Sequence, residues 1–252
     1  MRLTFLGTGT SSGVPTIACH CKVCTSPDPR DKRTRPSILL EFDGRAVVID
    51  ATPDFRAQVL RERLERLDAV VFTHGHADHI LGLDEVRVFY FRQKQPIPIY
   101  ADAPCMETIR RTFKYIFDGD YPYGGLVKLD PRLIEGPFDL GSLRMIPVPV
   151  FHGDLPILGF RFGDVAYLTD ISAVPDASLP LLEGLEVLIL DTLRHKPHPT
   201  HLTVEQSLRL VEKLKPRRAL GTHIAHELGH EETNASLPPH VRLAYDGLKL
   251  EV

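Results

Sequence analysis

Three imidazoles and one carboxylate fall within six positions of this chain, in the segment Thr73-His74-Gly75-His76-Ala77-Asp78-His79. The segment follows the apolar run Ala69-Val70-Val71-Phe72, where a buried strand is expected to end in a loop. In an extended segment, residues two apart point to the same side, so we expect His74, His76 and Asp78 to converge while His79 turns to a neighbouring point. One metal ion cannot easily use all four groups. Two ions about 3.5–4 Å apart can, and such pairs let hydrolases clamp a phosphodiester and generate hydroxide at neutral pH.

Four further residues each close an apolar run. Asp50 follows residues 46–49, His152 follows residues 145–151, Asp170 follows residues 165–169, and His223 follows residues 218–222. Rigid scaffolds usually hold their functional groups on loops at the ends of strands. The sequence therefore predicts that these residues join the histidine-rich segment in one site.

This ordered set of residues resembles the five-part signature of the metallo-β-lactamase superfamily, and the resemblance extends over the whole length of the chain. The resemblance implies two divalent ions, zinc or manganese, in the active site. One ion would be bound by His74, His76 and His152. The other would be bound by Asp78, His79 and His223. Asp170 would bridge the two ions, and Asp50 would orient ligands without binding metal, a role that tunes metal affinity appreciably.

Length and charge limit the classes of function. The chain has 252 residues, which suits a single domain over residues 1–252. Its 30 Lys and Arg residues against 33 Asp and Glu residues give a formal net charge of -3, so nucleic acid is not an expected partner. No stretch approaches the roughly 20 apolar residues that span a bilayer. The chain enters a strand pattern at once without a signal peptide, so we expect a cytoplasmic protein that binds no membrane.

Three of the four cysteines are bunched as Cys19, Cys21 and Cys24. A disulfide between neighbours this close would be strained, and a cytosolic chain keeps its thiols reduced. Thiolates with this spacing are better suited to a structural zinc ion, which requires a fourth ligand. His226 is the best candidate because it lies three residues beyond a predicted active-site ligand. His20 is the alternative.

Turn and cap signals predict the elements that hold these residues. Asp43-Gly44 and Gly163-Asp164 each separate two strand patterns and predict hairpins. Helices are expected over about residues 53–67 and 104–117, and a third opens at Thr203 with a capping box to Gln206 and ends before Pro216. Residues 121–125 are expected to form an exposed loop over the site. The resemblance implies an α/β fold, a four-layer αβ/βα sandwich of two mixed sheets, with the metal cluster at one edge between them.

His201 lies just before the capped helix, where backbone N–H groups and the helix dipole attract an anion. An imidazole at this point can protonate a leaving oxygen if it does not bind metal. His201, the complete histidine motif, the cysteine cluster and the pair His223 and His226 together resemble the phosphodiesterase family of bacterial phosphonate catabolism. Enzymes of that family open phosphoribosyl cyclic phosphate.

That second resemblance implies a bimetal phosphodiesterase acting on a small, cyclic sugar-phosphate diester. A hydroxide between the two ions would attack phosphorus, with His201 as general acid and Asp78 as a ligand that is also catalytic. A separate structural zinc ion would be bound by Cys19, Cys21, Cys24 and His226. Candidates to grip a second phosphate are Arg33, Arg35, Arg194 and Lys196. The expected partners are the substrate and, at most, a second copy of the chain in a homodimer.

Three other functions are consistent with parts of the pattern. The tRNA 3′-end-processing endonucleases share the metal motif and a comparable histidine, but the near-neutral charge and the lack of an inserted basic arm count against them. The pyrroloquinoline quinone biosynthesis protein B family shares the cysteine cluster. A non-catalytic metal-binding protein would not need an open bimetal site, so the full ligand set disfavours it.

Overall fold

The apolar runs and turn signals described above form fourteen strands in two seven-stranded sheets of the computed structural model, which describes residues 1–118 and 125–252. In the first sheet the spatial order is β14-β1-β2-β3-β4-β5-β6. Its strands are β1 (Arg2–Gly7), β2 (Ser37–Phe42), β3 (Arg45–Ile49), β4 (Ala69–Val71), β5 (Ile97–Ala101), β6 (Leu129–Leu133) and β14 (Lys249–Glu251). In the second sheet the order is β13-β12-β11-β10-β9-β8-β7. Its strands are β7 (Phe138–Leu140), β8 (Leu143–His152), β9 (Leu155–Phe162), β10 (Val165–Leu168), β11 (Val187–Asp191), β12 (Arg218–Thr222) and β13 (Val241–Leu243).

The α-helices of the described residues differ from the expected ones in their bounds. They are α1 (Phe55–Glu62), α2 (Ala77–Ile80), α3 (Arg87–Gln93), α4 (Ala103–Thr112), α5 (Lys114–Phe117), α6 (Val204–Leu214) and α7 (His230–Ser236). The helix expected over residues 53–67 ends early because Arg63 turns into the left-handed region at φ 55°. The helix expected over residues 104–117 is interrupted at Phe113. The capping box of Thr203 and Gln206 is present at the start of α6.

Alternate residues of each strand point to opposite faces and pack into different apolar layers. Leu40 and Ile49 lie in a core between the two sheets, whereas Leu39 and Val48 pack against α1, α3 and α4 on the outer face. The second sheet uses a third layer, where Leu188 and Leu190 pack against α6. The order helix, sheet, sheet, helix is the predicted four-layer sandwich.

Parallel pairing brings the carboxyl ends of several strands to one edge. The pairs β3–β4, β4–β5 and β5–β6 are parallel, as are β10–β11, β11–β12 and β12–β13. In open α/β sheets, ligands bind outside these carboxyl ends. Residues 121–124 of the loop expected near this edge lie outside the described residues. Across residues 1–118 and 125–252, every helix is too short or too polar to cross a membrane.

Candidate metal centre

Three residues of the site leave their strands in the left-handed backbone region. Asp50, Asp170 and His223 follow β3, β10 and β12 with φ angles of 67°, 58° and 56°. Residues other than glycine seldom adopt such angles, which cost about 1–3 kcal/mol each. The turns hold the three side chains at the carboxyl edge. Backbone strain at these three residues agrees with a functional site.

The histidine-rich segment differs locally from the expected extended conformation. Asp78 and His79 lie on the short helix α2, with His76 as its N-cap residue. The expectation that alternate extended residues converge was therefore wrong for Asp78. The helix still brings Asp78 Oδ2 to 3.4 Å from His79 Nε2, so both side chains reach the same cluster.

Asp170 lies at the centre of the cluster. Its Oδ1 atom is 3.3 Å from His79 Nε2 and 3.1 Å from His223 Nε2. Asp170, His79, His223 and Asp78 each offer one ligand atom, and these four atoms all lie within 4.8 Å of one another. A ligand atom of Asp170 also lies within 4.8 Å of one from His152, so this carboxylate lies between the two groups of predicted ligands.

The other predicted ligands approach from β8 and from the loop after β4. His74 Nε2 is 3.0 Å from His76 Nδ1. The His152 ring lies 5.1 Å from the His76 ring and 5.7 Å from the His74 ring, measured between centroids. His152 donates its Nδ1 hydrogen to the Asp170 carbonyl at 2.7 Å, which leaves Nε2 free for a metal ion. The structure thus brings together all seven residues predicted as active-site ligands.

Asp50 and Thr73 orient the ligands His79 and His74 through hydrogen bonds to their Nδ1 atoms. Asp50 accepts hydrogen bonds from the Thr73 amide and hydroxyl, both at 2.9 Å, and from His79 Nδ1 at 2.7 Å. The Thr73 hydroxyl in turn lies 3.0 Å from His74 Nδ1. Both imidazoles therefore have Nδ1 engaged and Nε2 directed to the cluster, the arrangement in which a buried carboxylate fixes a metal-binding histidine.

Electrostatics of the cluster fit a bound cation. Burial lowers the pKa of His74 and lowers that of His223 to about 4, so these imidazoles are neutral at pH 7, as metal ligands must be. Burial opposes a charge on His79 as well, but Asp170 and Asp50 outweigh it and raise its pKa well above the ordinary value. The Nε2 atoms of His79 and His223 are buried without a hydrogen-bond partner in the described part of the chain. The donor set therefore fits a positive ion beside Asp170.

His201 lies beside this cluster, and a residue that sequence reasoning missed holds it. Its Nδ1 is 3.0 Å from Oδ2 of Asp191, which is fully buried. The His201 ring stacks on the His223 ring at 4.6 Å and 15°. An atom of His201 also falls within 4.8 Å of ligand atoms of His152 and Asp170. The signal for Asp191 was present in the sequence, because Asp191 closes the apolar strand β11 as Asp50 closes β3.

The cysteine cluster forms a second site in loops of the amino-terminal segment. The Sγ atoms of Cys19 and Cys21 lie 3.2 Å and 3.4 Å from His226 Nδ1, and Cys24 completes a group within 4.8 Å. The Cys24 amide and His226 donate to Cys21 and lower the pKa of its thiol to about 6. A thiolate at neutral pH favours metal binding. The geometry favours His226 over His20 as the fourth ligand.

Two of the arginines proposed to grip phosphate are engaged elsewhere. Arg33 has 0% of its side chain exposed and donates from Nη1 to the Ala244 carbonyl at 2.9 Å, so its assignment to substrate was wrong. Arg35 pairs with Asp54 at 3.0 Å.

Comparison with known proteins identifies the class. The sequence profile of the Beta-lactamase superfamily domain matches residues 45–224, a span that contains Asp50 and all seven predicted active-site ligands. The chain therefore belongs to the β-lactamase superfamily, as its sequence predicted. Its two sheets flanked by helices are the metallo-β-lactamase αβ/βα sandwich, so the predicted fold is confirmed.

Within this superfamily the chain is similar to a diphosphatase of the PhnP family. That crystal structure is 50% identical in sequence, has a TM-score of 0.94, and is matched over 100% of this chain and 97% of that chain. Octanoyltransferase of Porphyromonas gingivalis is 38% identical over 253 residues, 99% of this chain and 51% of the relative, so the chain spans about half its length. Coenzyme PQQ synthesis protein B of Xanthomonas oryzae is 29% identical over 225 residues, 76% of this chain and 72% of that protein. The superfamily match and the likeness to the diphosphatase support a metal-dependent hydrolase.

Proposed function

We propose that this protein is a bimetal phosphodiesterase that hydrolyses a small sugar-phosphate diester. The observation that best supports this is the position of His201, next to the metal-ligand cluster and held through Nδ1 by the buried Asp191. A histidine in this position can deliver a proton to a leaving oxygen from outside the ligand set. A homodimer stays a prediction.

The ligand residues divide as the superfamily resemblance implies. His74, His76 and His152 would hold one ion, Asp78, His79 and His223 the other, with Asp170 between them. When bound, two divalent ions supply a nucleophilic water at neutral pH and neutralise charge on the phosphoryl oxygens. The structural zinc would be held by Cys19, Cys21, Cys24 and His226.

Asp78 is suited to orient the attacking water as well as to bind metal. Its side chain is 14% exposed, more than those of the fully buried Asp50 and the nearly buried Asp170. Burial raises the pKa of Asp78, but its hydrogen bond to His79 and the charge of His79 outweigh this and lower the pKa to about 2. The carboxylate therefore stays ionised and accepts hydrogen bonds.

His201 would serve the leaving group. Its Nδ1 hydrogen is donated to Asp191, so Nε2 is the nitrogen that can pass a proton to the departing sugar oxygen. Asp191 fixes this tautomer and the ring orientation, as the buried carboxylate does for histidine in a catalytic triad.

A diphosphate linkage is a second candidate substrate, favoured by the diphosphatase of the PhnP family at 50% identity. Both reactions break a P–O bond and need the same charge neutralisation, so the same residues would serve either. The name octanoyltransferase describes a relative about twice as long as this chain. We propose that acyl transfer belongs to the part of that relative that this chain does not match.

A panel of substrates tests the proposal. Metal-reconstituted protein should hydrolyse a ribose cyclic phosphate or a sugar diphosphate diester, and should neither cleave precursor tRNA nor transfer an octanoyl group. The ratio of kcat/KM between the first two substrates decides between phosphodiesterase and diphosphatase. Cleavage of precursor tRNA without turnover of any small diester would replace the proposal with the endonuclease.

A further inference from the structure

A carboxylate in the carboxyl-terminal part of the chain is buried outside the ligand set. The side chain of Asp246 is 8% exposed, and it lies in the turn between β13 and β14. This turn is held against β1, because the Gly247 amide donates to the Phe5 carbonyl at 2.8 Å and the Phe5 amide donates to the Leu248 carbonyl at 2.9 Å. Burial of a carboxylate costs free energy unless hydrogen bonds satisfy its oxygens, so the partners of Asp246 indicate its role.

Asp246 accepts hydrogen bonds from three separate segments. Its Oδ1 accepts from the Thr8 hydroxyl at 2.8 Å. Its Oδ2 accepts from the Thr34 amide at 2.8 Å and from Arg61 Nη1 at 3.2 Å. The Thr34 hydroxyl lies 2.6 Å from the same oxygen. The carboxylate therefore joins the segment after β1, the segment before β2 and the helix α1.

The Thr8 partner leads to a predicted metal ligand. The Thr8 carbonyl accepts from the Ile224 amide at 2.8 Å, and Gly9 forms a parallel bridge with Ile224. Ile224 follows His223, which is held at φ 56°. A strained backbone angle persists only where the surrounding structure fixes it. The hydrogen bond between Thr8 and Asp246 thus supports the turn that carries His223.

The Thr34 partner leads to the turn that carries Asp50. The Gln58 side chain on α1 is fully buried and donates from Nε2 to the Thr34 hydroxyl at 3.0 Å. Its Oε1 accepts from the Thr52 hydroxyl at 3.1 Å. Thr52 lies two residues after Asp50, which is held at φ 67° and orients His79.

Both branches of this network end at ligands of the same predicted ion. His223 lies at the end of the first branch, and His79 is reached through Asp50 at the end of the second. With Asp78, these two histidines are the ligands proposed for one ion. We propose that Asp246 is a positioning residue that holds the turns of His223 and Asp50 and so strengthens the binding of that ion. This inference rests on the proposed bimetal site and adds a residue that acts on it from outside the ligand set.

Release of the ions tests this role. Protein with its metals bound would be equilibrated with buffers of decreasing free zinc, and native mass spectrometry would count the ions that remain. Asp246→Asn should lose one active-site ion at a free zinc concentration about 10-fold higher than the wild type does, the lower end of the effect of groups that orient metal ligands. The other active-site ion, which His152→Ala should weaken, should leave at the wild-type concentration.

Asp68→Asn is the matched control. The Asp68 side chain is 11% exposed, and it also accepts from one backbone amide, that of Ala46 at 2.8 Å, and from one arginine, Arg66 at 2.7 Å. It lies just before β4, at the opposite end of that strand from the site. Asp68→Asn should leave the release of both active-site ions unchanged, whatever its effect on the melting temperature. Equal weakening in Asp68→Asn and Asp246→Asn would overturn the proposal, because general destabilisation would then explain both.

Two substitutions of Thr8 decide the question if Asp246→Asn does not fold. Thr8→Val removes the hydroxyl that donates to Asp246 and keeps the carbonyl, so it should weaken the same ion and speed hydrogen exchange of the Ile224 amide. Thr8→Ser keeps the hydroxyl and should restore both properties. Wild-type release of both ions from Thr8→Val would overturn the positioning role alone. A wild-type protein that never holds two active-site ions would overturn the proposed function too, so the two failures are distinguishable.

Discussion

The two candidate metal sites of this protein are built in opposite ways. The active-site cluster lies at the ends of strands from both sheets. The buried carboxylates of Asp50 and Asp191 orient the imidazoles of His79 and His201. The cysteine cluster stands in loops, with a small apolar group of Val14 and Val23 around Cys24. The first site is shaped by the ends of strands, whereas the second is shaped by loops and their local hydrogen bonds, such as those from the Thr16 amide to Cys24 Sγ and from the Cys24 amide to Cys21 Sγ.

This difference between strand ends and loops determines what keeps the ligands of each site in place. Ligands on strand ends are held by the sheet hydrogen bonds whether or not an ion is bound. Ligands on loops gain their geometry from the ion, so metal binding there is coupled to folding. The segment from His223 to His226 joins the two sites, and its Ala225 amide donates to the Leu193 carbonyl at 3.0 Å.

Asp170→Ala should have the largest effect, because in the proposed site both ions would share this carboxylate. We expect loss of essentially all phosphodiesterase activity together with both active-site ions, while the melting temperature and the zinc at the cysteines are retained. Activity assays, elemental analysis and thermal unfolding would check this. An Asp170→Ala protein that keeps both active-site ions would contradict a bridging role.

His201→Ala should have the next largest effect, on rate alone. A general acid is worth about 10²–10⁴-fold in rate, so hydrolysis of a ribose cyclic phosphate should fall by this factor with both active-site ions retained. The defect should shrink for a diester with a nitrophenolate leaving group, which needs little protonation. An equal loss on both substrates, or loss of metal, would show that His201 acts otherwise.

Asp50→Ala tests how much the orientation of His79 by Asp50 contributes to metal affinity. Removal of the acceptor for His79 Nδ1 should weaken metal affinity by about 10–100-fold, the cost found for carboxylates that orient metal-binding histidines. Metal titration monitored by activity would measure the shift. Unchanged affinity would mean that the sheet edge alone orients His79.

Cys21→Ser should have the smallest effect on chemistry and a clear effect on stability. The variant should release one zinc ion and melt at a lower temperature, with activity lost only as the protein unfolds. Cys105→Ala is the matched control, since this cysteine is buried in α4 away from the cluster and its loss should leave the zinc content unchanged. A Cys21→Ser protein with full metal content and an unchanged melting temperature would exclude a zinc site here.

The strand ends and the ligand spacing could be predicted from the sequence, because apolar runs that close on His or Asp mark the edge of a buried sheet. The placement of His79 on α2 could not, since four residues are too few to show a helical period. The burial of Arg33 depends on the Ala244 carbonyl, 211 residues away, and no local pattern encodes such a contact. Asp191 also closes an apolar run and could have been found in this way, but its pairing with His201, ten residues along the chain, could not be read from the pattern around either residue.

Metal content per chain is the most direct test of the central claim that one fold holds a bimetal active site and a separate zinc site. Protein purified without chelator should contain about three divalent ions, falling to about two in Cys21→Ser and to about one in Asp170→Ala. Native mass spectrometry would count the ions and elemental analysis would identify them. A wild-type stoichiometry that stays at one or below after reconstitution with zinc or manganese would contradict the account.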